Sequence, residues 1–105
     1  MPIIRVDQIS KYEGKEVTVQ GWVYNRTDKG KLVFLLVRDG TGFVQCVAFK
    51  GDLDEAVFDQ LVRLPQESSV IITGPVRADK RAPGIPGGYE IGVKQIQIVQ
   101  AADAD

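Results

Sequence analysis

Lys31-Leu32-Val33-Phe34-Leu35-Leu36-Val37-Arg38, then Asp39-Gly40-Thr41-Gly42, then Phe43-Val44-Gln45-Cys46-Val47-Ala48-Phe49, is the stretch that decides how this chain folds. The run 31–38 is almost continuously apolar and too short for a buried helix, so it reads as a central strand. Asp39-Gly40-Thr41-Gly42 is a tight hairpin connection, two glycines in four residues. The run 43–49 is then its antiparallel partner. Everything else is arranged around that hairpin.

On the N-terminal side a strand begins near Glu16, where Val17, Val19 and Val23 alternate with Thr18, Gln20 and Trp22. Gly21 interrupts the alternation and predicts a bulge or sharp coil. Asp28-Lys29-Gly30-Lys31 is the turn into the central hairpin. Residues 7–13 read as a short helical turn, with Asp7 as N-cap and Gly14 as its stop.

On the C-terminal side Gly51-Asp52 breaks the hairpin's second strand, and Asp52 with Glu55 has the spacing of a capping box. Leu53, Val57, Leu61 and Leu64 recur at near-helical spacing until Pro65. A fourth strand runs over about 69–79, with Val70, Ile72, Val76 and Ala78 on one face. Pro75 places that strand at an edge or a bulge. Residues 82–88 are expected to be a mobile loop without regular structure. A fifth strand covers about 89–99, and its apolar phase switches from Ile91 and Val93 to Ile96 and Ile98, as barrel strands do at a bulge. Residues 101–105 read as the start of a linker, leaving one domain over 1–100.

The resulting order is β-β-β-α-β-β. An all-β chain with one short helix between the third and fourth of five strands is the Greek-key OB-fold barrel. In that fold the second and third strands, with the loops joining strands one to two and four to five, bind oligonucleotides or oligosaccharides. Those loops are 25–31 and 80–88 here.

Composition narrows the chemistry. The chain has 105 residues and suits one small domain. With one cysteine, Cys46, there is no internal disulfide, and a cytoplasmic protein is expected. Cys46 alternates away from Gln45 and belongs in the core. Histidine is absent, which removes the commonest general base and makes a structural zinc site unreasonable. No nucleophile–base pair or phosphate-cradling loop is visible, so the chain is not expected to be an enzyme in its own right, and no metal or cofactor is expected in it. The net charge is −1, but it is segregated. Arg26, Lys29, Lys31 and Arg38 cluster in one stretch, and Arg77, Lys80 and Arg81 in another; the acids gather at Asp52, Asp54, Glu55 and Asp59. Ordinary solvated strands and an acidic helix would give the same pattern.

Single-stranded RNA is read by stacking splayed bases on aromatic rings and bonding their exposed edges. Phe34 and Gln45, on the two strands of the hairpin, are the candidates for those roles, with Arg26, Lys29 and Arg38 to hold phosphates or stack. Each has an ordinary alternative. A phenylalanine in an apolar strand is usually core, and Arg38 beside Asp39 is often a local salt bridge. Trp22 and Tyr24 could stack too, but beside Gly21 they are expected to pack the barrel.

Gly21-Trp22-Val23-Tyr24-Asn25-Arg26 and Gly30 through Gln45, with Thr73-Gly74-Pro75-Val76-Arg77 and Gly88-Tyr89-Glu90-Ile91, resemble the N-terminal anticodon-binding domain of the class II aspartyl-, asparaginyl- and lysyl-tRNA synthetases. The resemblance covers about residues 5–99. It implies that Phe34 stacks on the central anticodon uridine, that Gln45 bonds that base, that Arg26 contacts the loop nearby, and that Glu90 lies near the other anticodon bases. Phe34 to Gln45, with Arg81-Ala82-Pro83-Gly84 and Gly88-Tyr89-Glu90, is most similar to the asparagine type. Aspartyl members carry a second acid where this chain has Gly92, and the stretch 84–88 is longer than usual. The resemblance further implies a partner, tRNA-Asn, and a parent asparagine–tRNA ligase that is a homodimer. In that parent ATP and Mg belong to a separate catalytic domain.

Within the family an aspartyl-type anticodon-binding domain stays open as an alternative, and outside it two other readings stay open at this point. One is a sequence-tolerant single-strand binder, which would take oligo-dT as well as an anticodon loop. The other is a protein-binding OB scaffold, natural or engineered, which would bind no RNA.

Overall fold

The structure is a computed structural model that describes residues 3–85 and 87–100. Among the described residues eight strands form one sheet that closes on itself: β1 (Ile3–Ile4), β2 (Glu16–Lys29), β3 (Leu32–Arg38), β4 (Phe43–Phe49), β5 (Ser69–Ala78), β6 (Gly84–Ile85), β7 (Tyr89–Gly92) and β8 (Gln95–Gln100). One α-helix, α1 (Glu55–Leu61), lies between β4 and β5. The path is β1-β2-β3-β4-β7-β5-β8, with β6 added beside β4 and the barrel closed by β2 pairing β5. The expected OB order is therefore present.

Closure rests on one long strand serving two partners. Residues Glu16–Trp22 of β2 pair with β5, and Trp22–Lys29 pair with β3. Gly21 stands at this change of partner, where a Cβ would collide with the Arg38 carbonyl oxygen. The ladder irregularity falls a little later, between Val23 and Asn25. A second close approach seals the other side, since a Cβ on Gly74 would collide with the Gly92 carbonyl oxygen.

The interior is filled by alternate residues. Val17, Val19, Val33, Leu35, Val37, Val44, Cys46, Ala48, Val70, Ile72, Val76 and Ile91 are buried, and Phe58, Leu61 and Leu64 of the helical segment join the same cluster.

Several local expectations need correcting. The helix starts at Glu55 behind Asp54, and a 3-10 turn occupies Lys50–Asp52, so Asp52 and Glu55 form no capping box. Phe58, rather than Val57, is buried on the helix. The first turn is a 3-10 helix over Val6–Tyr12 with Arg5 at its N-cap, not Asp7, and the Arg5 amide donates to Gln8 Oε1 at 3.1 Å. β2 continues through Lys29, which shortens the expected loop 25–31 to Gly30 and Lys31. β5 is no edge strand. It pairs with β2 on one side, and on the other with β8 up to Thr73 and with β7 from Val76, so Pro75 sits where the partner changes and a missing amide costs no ladder bond there. Ala78 is exposed rather than on the buried face. The predicted loop 82–88 contains β6, paired with Phe43 and Val44, and Gly88 donates to the Ala82 carbonyl at 3.2 Å. Within that loop Pro86 lies outside the described residues, as does the expected linker 101–105.

The fifth strand behaves as its phase switch predicted. It divides into β7 and β8, with Val93 donating to the Val47 carbonyl and Lys94 to that of Thr73 at the break. Ile91 of β7 points into the core, so its neighbour Glu90 faces the outside of the barrel, beside β4.

Candidate nucleic-acid interface

With Val33, Leu35 and Val37 turned inward, the alternate positions Leu32, Phe34, Leu36 and Arg38 of β3 face outward. Phe43, Gln45, Val47 and Phe49 do the same on β4. Phe34 stands opposite Val47, and Gln45 opposite Leu36, so Phe34 and Gln45 are diagonal neighbours on one face. On its other side Gln45 pairs with Glu90 of β7, and Glu90 pairs with Arg77 of β5. The Arg77 guanidinium meets the Glu90 carboxylate at 3.3 Å. Glu90 is mostly buried, whereas about half of the Arg77 side chain remains open.

These residues line one shallow depression of about 570 Å³, together with Lys29 and the loop residues Asp79 and Arg81. Lys29 Nζ lies 5.7 Å from the centre of the Phe34 ring, a cation over its face. Lys29, Arg77 and Arg81 against Asp79 and Glu90 leave the lining one charge positive, on a chain that is one charge negative overall. A larger hollow of about 680 Å³ beside α1 is lined by Asp59, Gln60, Arg63 and Ile98 among others, with no aromatic ring to stack on.

Four of the six expected site residues, Phe34, Gln45, Glu90 and Lys29, therefore meet in one place. The other two do not. Arg26 pairs with buried Leu35 and points to the end of α1, where its Nη1 donates to the carbonyls of Leu61 at 3.3 Å and Leu64 at 2.9 Å. Its Nε also meets Asp28 at 3.3 Å. Arg38 faces outward but away from the depression. It makes no salt bridge with its neighbour Asp39; its guanidinium binds Glu67 and lies 5.7 Å from the Trp22 ring.

A family described as an OB-fold nucleic acid binding domain, tRNA_anti-codon, matches residues 17–99. The chain belongs to that family. Among its relatives, asparagine–tRNA ligase of Chloroflexus aurantiacus is 50% identical over 99 residues, covering 94% of this chain and 22% of that protein. The ligase of Symbiobacterium thermophilum is also 50% identical, covering 98% of this chain and 23% of that one. The crystal structure of asparaginyl-tRNA synthetase from Pyrococcus horikoshii complexed with asparaginyl-adenylate superimposes with a TM-score of 0.88 at 39% identity, over 97% of this chain and 23% of that one. This chain thus spans under a quarter of the length of the relatives it matches. It is an OB domain of the anticodon-binding family, similar to one part of the asparagine–tRNA ligases.

Three features of this anticodon-binding domain escaped the sequence. Arg77 belongs to the depression, and its signal was the Arg77-to-Arg81 cluster on a strand that pairs with Glu90. The Arg77 guanidinium rests on Gly92, where a Cβ would lie 3.0 Å from Arg77 Nη2. Trp22 and Tyr24 do not pack the barrel; they are 42% and 50% exposed. The physical reason is the alternation of the strand: Val23 takes the interior position, so its neighbours on either side are turned out, and Tyr24 stacks on Phe43 instead, ring centres 5.8 Å apart.

Two titratable groups are displaced from their ordinary values. Partial burial works to raise the Asp39 carboxyl, but hydrogen bonds from the Thr41 hydroxyl and from the amides of Val6, Thr41 and Gly42 outweigh it and hold the group below the usual carboxylate range. Burial, with a smaller contribution from the Glu90 charge, pushes the Cys46 thiol up to about 12. Cys46 is thus a core residue on the inner face of β4, the strand that carries Gln45 on its outer face.

Among the described residues no helix is long and apolar enough to cross a membrane.

Proposed function

We propose that this domain binds the anticodon loop of tRNA-Asn, with Phe34 stacking on the central uridine and Gln45 hydrogen-bonding that base's edge. Glu90 and Arg77 face the neighbouring anticodon bases, and Lys29 neutralises phosphate at the rim. The observation that carries the reading is the convergence of Phe34, Gln45, Lys29 and Glu90 on one open depression of the β3–β4 face. That is the face an OB-fold uses for oligonucleotides. A half-buried ring, an amide with both donor and acceptor, and cations at the rim are the groups that single-strand recognition requires.

The relatives' names support the asparagine assignment, and so does Gly92. By the resemblance, aspartyl-type members carry a second acid at that position. In this proposal the domain serves a longer, dimeric, cytoplasmic asparagine–tRNA ligase, in which ATP and Mg are handled by residues other than these.

The test is titration of the chain with anticodon stem-loops bearing GUU, GUC or GCU at fixed low salt, with oligo-dT as control. Preference for the loops with a central uridine, strongest for GUU, supports the reading. Equal binding to all four ligands overturns it in favour of a general single-strand binder, and binding to none in favour of a protein-binding module.

A further inference from the structure

The outer face of the β3–β4 pair does not end at Gln45. Two residues further along β4 stands Phe43, and its cross-strand neighbours belong to an exposed aromatic group that the triplet-reading site leaves unused. Phe43 pairs with Arg38 and, through it, with Trp22. The Tyr24 ring stacks on Phe43 with 28° between the planes. Large aromatic rings standing together in solvent mark an interaction surface more often than a packing accident.

We propose that the Tyr24–Phe43 ring pair is a second stacking platform on the RNA surface. It takes an unpaired base that lies outside the three read around Phe34 and Gln45. The inference rests on that reading of the depression and extends it.

Three observations carry it. The first is continuity: Phe43 and Gln45 are on the same face of the same strand, so a strand of RNA lying across Gln45 runs onto Phe43 without crossing the barrel's edge. The second is distance. Phe34 is level with Val47, four residues from Phe43, which at the rise of an extended strand is about 13 Å. A fully stacked nucleic-acid strand spans that in about four steps, and one pulled out to about twice the stacked rise in about two. The triplet extends only one step to either side of its central base, so either case places the base at Phe43 beyond it. An OB-fold's single-strand site generally holds about 4–16 nucleotides, which leaves room for such a base. The third is the local charge. Glu67, held in the left-handed backbone region at φ 68°, binds Arg38 and keeps its guanidinium by the Trp22 ring, which places a cation at the border of the platform. A phosphate arriving there would compete with the Glu67 carboxylate for Arg38.

The experiment is titration of the chain, and of its Tyr24→Leu/Phe43→Leu double variant, with three RNAs. These are the GUU stem-loop, the same stem-loop carrying one abasic nucleotide at each flanking loop position in turn, and the bare trinucleotide GUU. Leucine keeps apolar cover on the strand, and thermal melting verifies that the variant is folded. The expected result is about tenfold weaker binding of the intact stem-loop by the double variant, the scale of one base–ring contact. An abasic nucleotide at one flanking position should produce the same loss in the parent chain and no further loss in the variant. Trinucleotide affinity should not change. If the double variant binds the stem-loop as tightly as the parent while Phe34→Ala loses binding, the second platform is refuted and the triplet site stands. If Phe34→Ala binds as the parent does, the reading of the depression itself fails. The same holds if no RNA binds, which leaves the aromatic face to a protein partner.

Discussion

Phe34 and Gln45 lie diagonally across the β3–β4 ladder, Phe34 opposite Val47 and Gln45 opposite Leu36, with both side chains half-buried on the outer face. That relationship makes one ring and one amide available to a single base. If they act on the same base, their effects are coupled. Phe34→Ala should weaken binding of a central-uridine stem-loop by about 1–3 kcal/mol, the range for one stacked base. Gln45→Ala should cost about 0.5–1.5 kcal/mol, the net worth of a hydrogen bond. The double variant should lose less than the sum, because an unstacked base no longer presents its edge. Additive losses in a double-mutant cycle would show that the two residues contact different bases.

Arg26 is a different case, since its guanidinium closes the C-terminal end of α1. The last carbonyls of a helix lack intrahelical partners; that of Leu61 accepts from the Leu64 amide as well as from Arg26, and that of Leu64, just past the helix, accepts from Arg26 at 2.9 Å. Removing a partner from such groups typically costs about 1–3 kcal/mol. Arg26→Ala should therefore lower Tm by several degrees without any RNA present. If Arg26→Ala melts like the parent chain but binds the stem-loop poorly, its hydrogen bonds to the helix are incidental and RNA contact is its role.

The contrast between these two residues shows where the sequence was legible. Hairpin 31–49, the helix between the third and fourth strands and the phase switch in the last strand followed from local pattern alone. The face on which Phe34 stands did not, because an all-apolar strand has no internal parity. It became readable only through register with Gln45 and Cys46, whose polarity does alternate. Tyr24 was misplaced because the alternation of β2 runs unbroken through Gly21, so Tyr24 faces outward like Trp22. Arg26 was expected in a loop; it stands instead on the continued strand beyond the irregularity after Val23, where the exchanged parity turns it toward α1. Arg77 was visible only as charge, since its link to Glu90 depends on the pairing of β5 with β7.

Asp39 ties the hairpin turn to the N-terminal 3-10 helix. Its Oδ2 accepts from the Val6 amide at 2.8 Å, and its Oδ1 from the Thr41 amide at 2.9 Å and the Thr41 hydroxyl at 2.7 Å. Because the folded-state pKa is below the ordinary 3.8, the stabilisation is fully present above that value and is lost as pH falls through the lowered one. Asp39→Asn keeps one acceptor oxygen and places an NH₂ where the other stood, so either Val6 or Thr41 loses its partner. The variant should be less stable at neutral pH by about 1–2 kcal/mol and show a flatter loss of stability as pH falls below the ordinary carboxylate range. Acid titrations of Tm for the two proteins provide the comparison, and parallel curves would remove Asp39 from the account.

Cys46 sets the opposite, alkaline arm. Its thiol titrates near 9.0 in an open chain and is pushed to about 12 in the folded barrel, where a thiolate would lie unsolvated behind Gln45 and close to the Glu90 charge. Folding therefore favours the protonated thiol. Its contribution is complete below pH 9 and declines as pH rises above 9, because the unfolded chain then releases a proton that the folded chain retains. Two measurements follow. A thiol reagent at pH 8 should label Cys46 at the rate of barrel opening, becoming fast only in denaturant, since the thiolate is the nucleophile and is scarce inside. Cys46→Ala should be less stable at neutral pH by about 1 kcal/mol for the lost sulfur volume, yet lose less stability than the parent chain between pH 9 and 11. Rapid labelling of the native protein would mean that β4 opens locally, and the rigid platform on which Phe43 and Gln45 stand would then have to be given up.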